Sequence, residues 1–392
     1  FYLCIEHKFE KKSRVKKMLQ IDQLSYWERD TYFTDSDIVI IGAGIVGLST
    51  AIFISERYPK RRILIVEQGY LPSGASTKNA GFACFGSPSE LEDDLKTISE
   101  SAVWETFQLR YEGLKALFNL LDSTAIDYNP CGSWDLIQNE APEIESGFID
   151  YLNQKAKEIT GEDSIYSEDK QANNRFGFSG FRTSYYNRLE GSLNTGKLVD
   201  ELYKYAIKKN IKVLFGVKCN SFFEQNDAIE LQLNIGKIKT EQLIICSNGF
   251  AKELVNEDVI PARGQVLITN EIPNLQINGT FHFDKGYYYF RNVGNRILLG
   301  GGRNINFTQE TSNKLEINET IQSALRKILA EQILPNTPHE IEMSWAGIMG
   351  VGKSKEPIIK RYSNRIAIGV RMGGMGVAIG TLVGKKLSHI ID

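Results

Sequence analysis

The sequence predicts an α/β fold that opens with a Rossmann-like nucleotide-binding unit. Residues 38–41 form a continuous β-branched apolar run ending at Gly42, which is the pattern of a buried parallel strand. The apolar residues that follow recur at helical spacing until Pro59 closes the helix. Residues 63–66 then form a second apolar run, which ends at Glu67. Strand, helix and strand in this order make a βαβ unit.

The turn between the first strand and the helix carries a glycine fingerprint. Gly42, Gly44 and Gly47 stand in a Gly-x-Gly-x-x-Gly pattern, which permits a tight turn, close approach to a pyrophosphate and close helix packing. The helix N-terminus stabilises phosphate charge, and Glu67 is placed to accept hydrogen bonds from ribose hydroxyls. A glycine turn without a ligand is the alternative, and the register of all these parts disfavours it. The fingerprint alone leaves NAD and FAD open.

Two later loops of small residues favour FAD. Residues 73–81 follow the second strand and can lie against the rest of an extended cofactor, although a plain surface connection is the alternative for this loop alone. Residues 371–377 lead from a strand into a helix, where backbone amides and the helix dipole can face an anion. Reduced flavin carries negative charge near nitrogen 1, which such a helix N-terminus stabilises.

The rest of the chain alternates between helical and strand patterns. Residues 91–121 and 197–209 have helical periodicity, and the chain closes with a strand at 365–370 and an apolar helix at 376–391. Residues 287–291 and 296–299 form a hairpin around 293–295. Further strands are predicted at 213–217, 229–233, 242–246 and 265–269.

Composition excludes several classes of function. The 392 residues are 42% hydrophobic and 24% charged with a net charge of -2, as in a soluble globular enzyme without a nucleic-acid partner. Five cysteines without a Cys-x-x-Cys pair and four scattered histidines predict no metal site and free thiols in a reducing cytoplasm. The glycines within 38–54 argue against a transmembrane segment. The basic run at 8–17, before Met18, is excluded from the fold as a tail.

With these motifs the chain resembles the D-amino-acid oxidase superfamily, which includes glycine oxidase, sarcosine oxidase and gamma-glutamylputrescine oxidase-like enzymes. The resemblance runs from about Ser25 to the end of the chain. Besides the motifs above it rests on residues 246–249, 261–265, 287–301, 345–347 and 373–376. Residues 25–28, before the first strand, look most like the gamma-glutamylputrescine group.

The resemblance implies FAD and a divided architecture. The FAD-binding domain is expected in three pieces, 36–82, 190–260 and 345–392, after a tail and lead segment at 1–35. An antiparallel-sheet substrate domain is expected at 83–189 and 261–344. The residues expected to bind FAD are Gly42, Gly44, Ile45, Val46, Gly47, Glu67, Gln68, Gly74, Ala75, Ser76, Asn79, Ala80, Gly81, Val217, Ser247, Asn248, Gly249, Arg371, Gly373, Gly374, Met375, Gly376 and Val377.

Departures from the family pattern bear on the substrate. The arginine that holds the carboxylate in amino-acid oxidases of this family is replaced by Met349, and the lysine used by sarcosine oxidases is replaced by Ala378. The lysine that activates dioxygen in sarcosine oxidases falls near Leu298, which puts fast oxidase behaviour in doubt. Cys84 is interpreted as a small buried thiol rather than a covalent flavin attachment.

These features predict oxidation of a C–N bond by hydride transfer to flavin. The catalytic candidates are Tyr287, Tyr289, Arg291 and Trp345. Alternation along the strand sends Tyr287, Tyr289 and Arg291 to the face opposite Tyr288. Arg291 is the best remaining candidate to hold a carboxylate, with a surface or structural role as the alternative, and Arg263 and Arg371 are weaker candidates. A secondary or polyamine-derived amine is the favoured substrate, with dioxygen or another carrier as electron acceptor. The alternatives are a D-amino-acid or glycine-type deaminating oxidase or dehydrogenase, and a flavin-binding assembly protein without turnover.

Overall fold

The computed structural model describes residues 20–33, 36–72 and 74–391, so the predictions for the tail at 8–17 and for Met18 lie outside it. Nine α-helices are found within these ranges: α1 Tyr26–Tyr32, α2 Ile45–Arg57, α3 Pro88–Thr97, α4 Glu100–Leu120, α5 Phe148–Thr160, α6 Ala172–Phe176, α7 Thr195–Lys208, α8 Glu319–Ile328 and α9 Gly376–Ser388. Short 3-10 helices lie at Ile21–Gln23, Ala75–Thr77, Asn248–Glu253 and Arg303–Ile305, and a π-helical turn, Leu329–Ile333, extends α8.

The same ranges hold eighteen β-strands. They are β1 Ser36–Ile41, β2 Ile63–Glu67, β3 Phe82–Ala83, β4 Ser133–Gln138, β5 Tyr166–Glu168, β6 Phe181–Asn187, β7 Gly191–Ser192, β8 Lys212–Phe215, β9 Cys219–Glu224, β10 Ile229–Leu233, β11 Gly236–Ile245, β12 Ile260–Thr269, β13 Thr280–Phe283, β14 Tyr288–Val293, β15 Arg296–Gly301, β16 Ile341–Val351, β17 Ile358–Arg361 and β18 Ile366–Val370.

The first sheet confirms the predicted βαβ unit. Its strands run in the order β17-β18-β11-β1-β2-β8, and β1 pairs in parallel with both β2 and β11. The last four residues of β1 and all of β2 are buried, which explains why their sequences are continuously apolar rather than alternating. Helix α2 lies between these two strands in the chain, so the glycine turn stands at the carboxyl edge of a parallel sheet.

Helices cover one face of this sheet. Helix α9 packs against both α2 and α4, and α7 packs against α2. Their apolar residues join β1 and β2 in one core, which includes Leu48, Leu117 and Leu202. This packing brings α9 next to α2, and Gly380 near the start of α9 lies against Ile45, the first residue of α2, so the two helix N-termini lie in the same region.

The second sheet is antiparallel except for the β4–β13 pair, in the order β16-β12-β15-β14-β13-β4-β6-β5. The predicted hairpin is present as β14 and β15, with Val293 paired to Arg296 across a two-residue turn. Strand β14 begins at Tyr288, one residue later than predicted. One face of the sheet packs with Phe281, Phe283 and Phe290 into its own core. The other face meets the loop that follows β2.

The domain boundaries stay a prediction. Strand β16 spans Ile341–Val351 and pairs along its length with β12, so the predicted boundary at 345 falls inside a strand of the second sheet. Within the described residues, no helix is both long and apolar enough to cross a bilayer.

Candidate active site

The turn between β1 and α2 has the geometry that the glycine fingerprint predicts. Gly42 has a φ of +104°, and a Cβ atom there would lie 2.9 Å from the carbonyl oxygen of Cys246. A Cβ atom on Gly47 would lie 1.9 Å from the carbonyl oxygen of Gly42. Neither position accepts a side chain without rearrangement. The turn therefore holds the N-terminus of α2 against the carboxyl edge of the sheet.

Glu67 ends β2 with its carboxylate bound to the backbone of the turn. Its Oε2 accepts a hydrogen bond from the amide of Ala43 at 3.0 Å, and its Oε1 accepts one from the amide of Gly69 at 2.9 Å. Burial raises the pKa of this carboxyl, and the two amides oppose that shift. Each carboxylate oxygen can accept a further hydrogen bond, so Glu67 keeps the capacity to hold ribose hydroxyls.

A cleft opens where the ends of β1, β2 and β11 meet the loops after them. Predicted cofactor residues line it: Gly42, Gly44, Glu67, Gln68, Gly74, Ala75, Ser76, Val217, Ser247 and Asn248. The sequence reasoning missed other lining residues, among them Pro72, Lys218, Cys219, Phe250 and Ile348. Pro72, Phe250 and Ile348 directly flank the predicted loop at 73–81 and the motifs at 246–249 and 345–347. A helix N-terminus and a buried acid in one cleft together fit the adenosine half of FAD.

The loop after β2 is held by its own side chains. Ser76 Oγ accepts a hydrogen bond from the amide of Ile45 at 3.1 Å, which fixes the loop to the first turn of α2. The side-chain amide of Asn79 donates to the carbonyls of Ala75 and Ser76, and its Oδ1 accepts from the amide of Gly81 at 2.8 Å. The predicted contacts Asn79, Ala80 and Gly81 therefore lie on an ordered path from the cleft toward the second sheet.

The C-terminal glycine turn lies beside β16. The amide of Gly373 donates to the carbonyl of Gly350 at 2.9 Å, and the sulfur of Met349 lies 3.5 Å from the Cβ position of Gly374. The Arg371 guanidinium pairs with Asp258 at 2.7 Å, so its charge is compensated within the protein. After this turn, Met375 caps α9, which begins with the predicted contacts Gly376 and Val377.

Met349 and Ala378 stand where the family pattern has a basic residue that binds the substrate carboxylate, and their surroundings differ. Met349 packs beside Gly374 and Gly264, in the region where the glycine turn and β16 meet. Ala378 is buried inside α9, and its carbonyl oxygen lies 2.1 Å from the Cβ position of Gly113 in α4. A long side chain at 378 would therefore disturb helix packing. Gly249, another predicted contact, also packs on the backbone of Met349.

One row of residues crosses the face of the second sheet that meets the flavin loop, the loop of residues 74–83. Neighbouring strands place in register Trp345, Val266, Gly300, Tyr289, His282 and Asp135. Phe82 from the flavin loop contacts the rings of His282 and Tyr289, with centroids 4.9 Å and 5.7 Å away. The Trp345 indole donates to the carbonyl of Lys78 at 3.0 Å. The sheet face and the flavin loop thus form two walls of one region.

Tyr288 and Tyr289 lie on opposite faces as strand alternation predicts, whereas Tyr287 precedes the strand and does not join Tyr289 on the wall. Tyr289 lies on the flavin-loop face, where its ring covers Gly300, and burial raises its pKa to about 12. Tyr288 stacks on Phe283 on the opposite face, with centroids 4.9 Å apart. Tyr287 precedes β14 and is 39% exposed, with its ring next to Phe307. Tyr289 and Trp345 therefore line the wall, and Tyr287 lies at its rim.

Arg291 is a buried cation without an acidic partner among the described residues. Its Nη1 donates to the carbonyls of Gly81 and Leu193, both at 2.9 Å, and its buried Nε has no partner. The side chain is 8% exposed, and burial lowers its pKa to about 10. Leu298 pairs with it from β15. Arg291 is therefore the uncompensated positive charge of this wall.

His282, which is not among the predicted site residues, lies on the same wall. It lies on β13 next to Tyr289, and neither ring nitrogen has a hydrogen-bond partner in the part of the chain that the structure describes. Thr280–Phe283 is not among the predicted strands, so alternation could not assign His282 to this face. By contrast Arg263, a weaker carboxylate candidate, is paired with buried Glu310 at 2.7 Å. No cluster of three potential metal ligands occurs in the described ranges.

A parallel sheet with a dinucleotide cleft, joined to an antiparallel sheet that faces the flavin loop, defines a two-lobed nucleotide-dependent oxidoreductase. A family model described as "FAD dependent oxidoreductase", DAO, matches residues 37–390. The chain belongs to this family, which confirms the α/β fold class and FAD as its cofactor.

Two relatives share less than a quarter of their aligned residues with this chain. The chain is 19% identical to a probable oxidoreductase, OrdL, of Haemophilus influenzae, over 92% of this chain and 84% of that protein. It is 23% identical to the bifunctional protein ThiO/ThiG of Trichormus variabilis, over 82% of this chain and 47% of that longer protein.

Solved structures show the same fold. Glycine oxidase from Geobacillus kaustophilus has a TM-score of 0.72 at 18% identity, covering 91% of this chain and 94% of that one. L-Proline dehydrogenase from P. horikoshii has a TM-score of 0.71 at 17% identity, covering 91% and 92%.

Proposed function

We propose that this FAD-dependent oxidoreductase oxidises the C–N bond of a small amino acid whose carboxylate is bound by Arg291. The observation that carries the proposal is the buried guanidinium, which faces the flavin loop without an acidic partner. Burying a cation unpaired costs several kcal/mol, so a ligand anion that pairs with Arg291 would offset this cost and thereby bind more tightly. Glycine oxidase, L-proline dehydrogenase and L-amino acid deaminase have this fold, and their names describe such substrates.

The residues of the wall suit this chemistry by placement. FAD held in the cleft would supply the acceptor for a hydride from the carbon next to the substrate nitrogen. As that C–H bond breaks, the nitrogen lone pair forms the C=N bond, so the substrate must bind with its amine unprotonated. Phe82, Leu298 and Trp345 belong to the apolar cluster between the flavin loop and the sheet, so they would exclude water from a substrate bound there. Arg291 would fix the other end of the substrate.

A simple amine is the second candidate, and it is the substrate favoured by the sequence. Its support is Met349, whose thioether packs beside Gly374 where a family anchor would bring a cation. The proposed role of Arg291 reverses that preference, because Arg291 offers a cation from a different strand. The two substrate classes make opposite predictions for the replacement of this one residue.

The experiment is an anaerobic stopped-flow panel read by loss of the oxidised-flavin band. Glycine, sarcosine, D- and L-amino acids, N-methylated amines and acylated diamines are compared at equal concentration. We expect amino acids to reduce the flavin fastest, and Arg291→Met to lower their second-order rate about 10- to 100-fold, the loss of a charged hydrogen bond. Reduction by neutral amines should change little.

Two controls separate binding from structure. Arg291→Gln keeps a donor for the carbonyl of Gly81 but removes the charge, so it should retain flavin while losing amino-acid reduction. Tyr288→Phe lies on the opposite face and should behave as the unsubstituted protein. If amines reduce the flavin best, and Arg291→Met leaves the amino-acid rates unchanged, the substrate is an amine and Arg291 only supports the loop.

A further inference from the structure

His282 occupies the centre of the wall that faces the flavin loop. It pairs in register with Tyr289 on one side and with Asp135 on the other, so all three side chains point to the same face. Phe82 approaches its ring at 65° with the centroids 4.9 Å apart, which is an edge-to-face contact. The imidazole thus lies on the wall and contacts Phe82 of the flavin loop.

The polar atoms of this imidazole are unused. Nε2 is buried without a hydrogen-bond partner, and within the described residues Nδ1 has none either. Buried polar groups in folded proteins are nearly always paired, and an unpaired one destabilises the fold. A hydrophobic side chain of the same size would avoid this cost. The arrangement is that of a group whose partner arrives with a ligand.

The charge state of His282 decides what that partner can be. Burial lowers its pKa to about 4, with the charge of Glu90 opposing the shift. The ring is therefore neutral near pH 7 and presents one nitrogen as a hydrogen-bond acceptor. Arg291, two residues from Tyr289 on the same face of β14, offers only donors. The wall thus carries an acceptor and a cation on neighbouring strands.

We propose that His282 determines substrate specificity by accepting a hydrogen bond from the amino N–H of the substrate, while Arg291 holds the carboxylate. The inference rests on the proposed function and adds the second contact point. It assigns His282 a positioning role, since the hydrogen bond fixes the direction of the nitrogen lone pair and no proton is transferred to the ring. The ligand class is a carboxylate with an amine on the adjacent carbon.

The test uses three ligands that share a quaternary carbon and lack the hydrogen needed for oxidation. 2-Aminoisobutyrate carries both groups, pivalate carries only the carboxylate and tert-butylamine carries only the amine. Their dissociation constants are measured by calorimetry on the oxidised FAD-bound protein. His282→Phe keeps the ring beside Phe82 and removes both nitrogens. We expect it to weaken 2-aminoisobutyrate and tert-butylamine about tenfold and to change pivalate less than twofold.

His282→Asn restores an acceptor and should recover part of the lost affinity, whereas Tyr288→Phe on the opposite face should change none of the three. A structural role would instead weaken all three ligands together in His282→Phe, and that outcome overturns the inference. So does an unchanged affinity for 2-aminoisobutyrate.

A second measurement keeps the test decisive if these small ligands bind too weakly to titrate. Anaerobic flavin reduction by the best substrate of the panel separates the dissociation constant from the limiting rate. His282→Phe should raise the dissociation constant about tenfold, and unchanged values in both quantities overturn the inference. If no amine or amino acid reduces the flavin of the unsubstituted protein, the proposed function itself fails, and the ligand comparison by calorimetry still tests His282 alone.

Discussion

The dinucleotide cleft and the substrate wall meet at the flavin loop but are built in opposite ways. In the cleft, the carboxylate of Glu67 is already bound to two backbone amides, and Ser76 already holds the first turn of α2. On the wall, His282 Nε2 and Arg291 Nε have no hydrogen-bond partner among the described residues. The cleft is therefore preorganised by the protein itself, whereas the wall keeps polar capacity for a ligand. Substitutions should accordingly affect FAD binding in one region and substrate recognition in the other.

The largest expected effect comes from filling the cleft. Gly44 caps α2, and a Cβ atom on it would lie 2.8 Å from Ser76 Oγ. Gly44→Val should abolish FAD binding, because the side chain occupies the approach of the pyrophosphate and displaces the flavin loop. The measurement is the absorbance of the purified protein near 450 nm, an approximate position for oxidised flavin, after reconstitution with FAD.

The control for this change is a residue of the second sheet, on the face away from the flavin loop. Tyr288→Phe should keep a full complement of flavin, and circular dichroism should show that Gly44→Val remains folded. A folded Gly44→Val protein that still binds FAD would show that the pyrophosphate does not pass this turn, and the contrast between the two regions would lose its basis.

The same contrast explains how much the sequence could predict. The cleft is encoded locally, because a switch from strand to helical periodicity with glycines at the turn specifies both the backbone path and the ligand. Strand alternation also predicted that Tyr289 and Arg291 share a face opposite Tyr288. The register between β13 and β14 is a tertiary property, so His282 could not be placed from its own strand. The ion pair of Arg263 with Glu310 was hidden for the same reason.

Long-range packing also limited what could be said of the missing anchors. Alignment with the family placed Ala378 and Met349 as equivalent losses, yet one is buried in helix packing and the other lies beside the glycine turn. The strand Ile341–Val351 has eleven residues and contains position 345, where the last segment of the FAD-binding domain is predicted to begin. Sequence spacing gives the order of such segments, and only the folded chain gives their neighbours.

An intermediate effect is expected from the acid of the cleft. Glu67→Ala should weaken FAD binding by about 1–3 kcal/mol, the cost of removing a charged acceptor from a hydrogen-bonded hydroxyl. Calorimetric titration of the apoprotein with FAD measures this loss. Glu67→Gln keeps one acceptor and should lose less. An unchanged affinity for FAD in Glu67→Ala would mean that this carboxylate serves only the amides of Ala43 and Gly69.

The smallest expected effect lies where the two regions meet. The Trp345 indole donates to the carbonyl of Lys78 at 3.0 Å, which joins the substrate sheet to the flavin loop. Trp345→Phe removes this hydrogen bond and keeps an aromatic ring on the wall. A net loss of about 0.5–1.5 kcal/mol is expected for such a bond. Because the loop orders the flavin side of the site, the loss should appear in FAD affinity.

Trp134 provides a matched control for that assignment. Its indole donates to Asp169, also at 3.0 Å, but its ring packs in the aromatic core on the far face of the sheet. Trp134→Phe also removes one indole hydrogen bond, so it should lower the melting temperature. It should leave the FAD affinity unchanged. If both variants lower the melting temperature and neither changes FAD affinity, the sheet does not support the flavin loop. The cleft would then bind its cofactor independently of the wall, because the contact at Lys78 would contribute to folding alone.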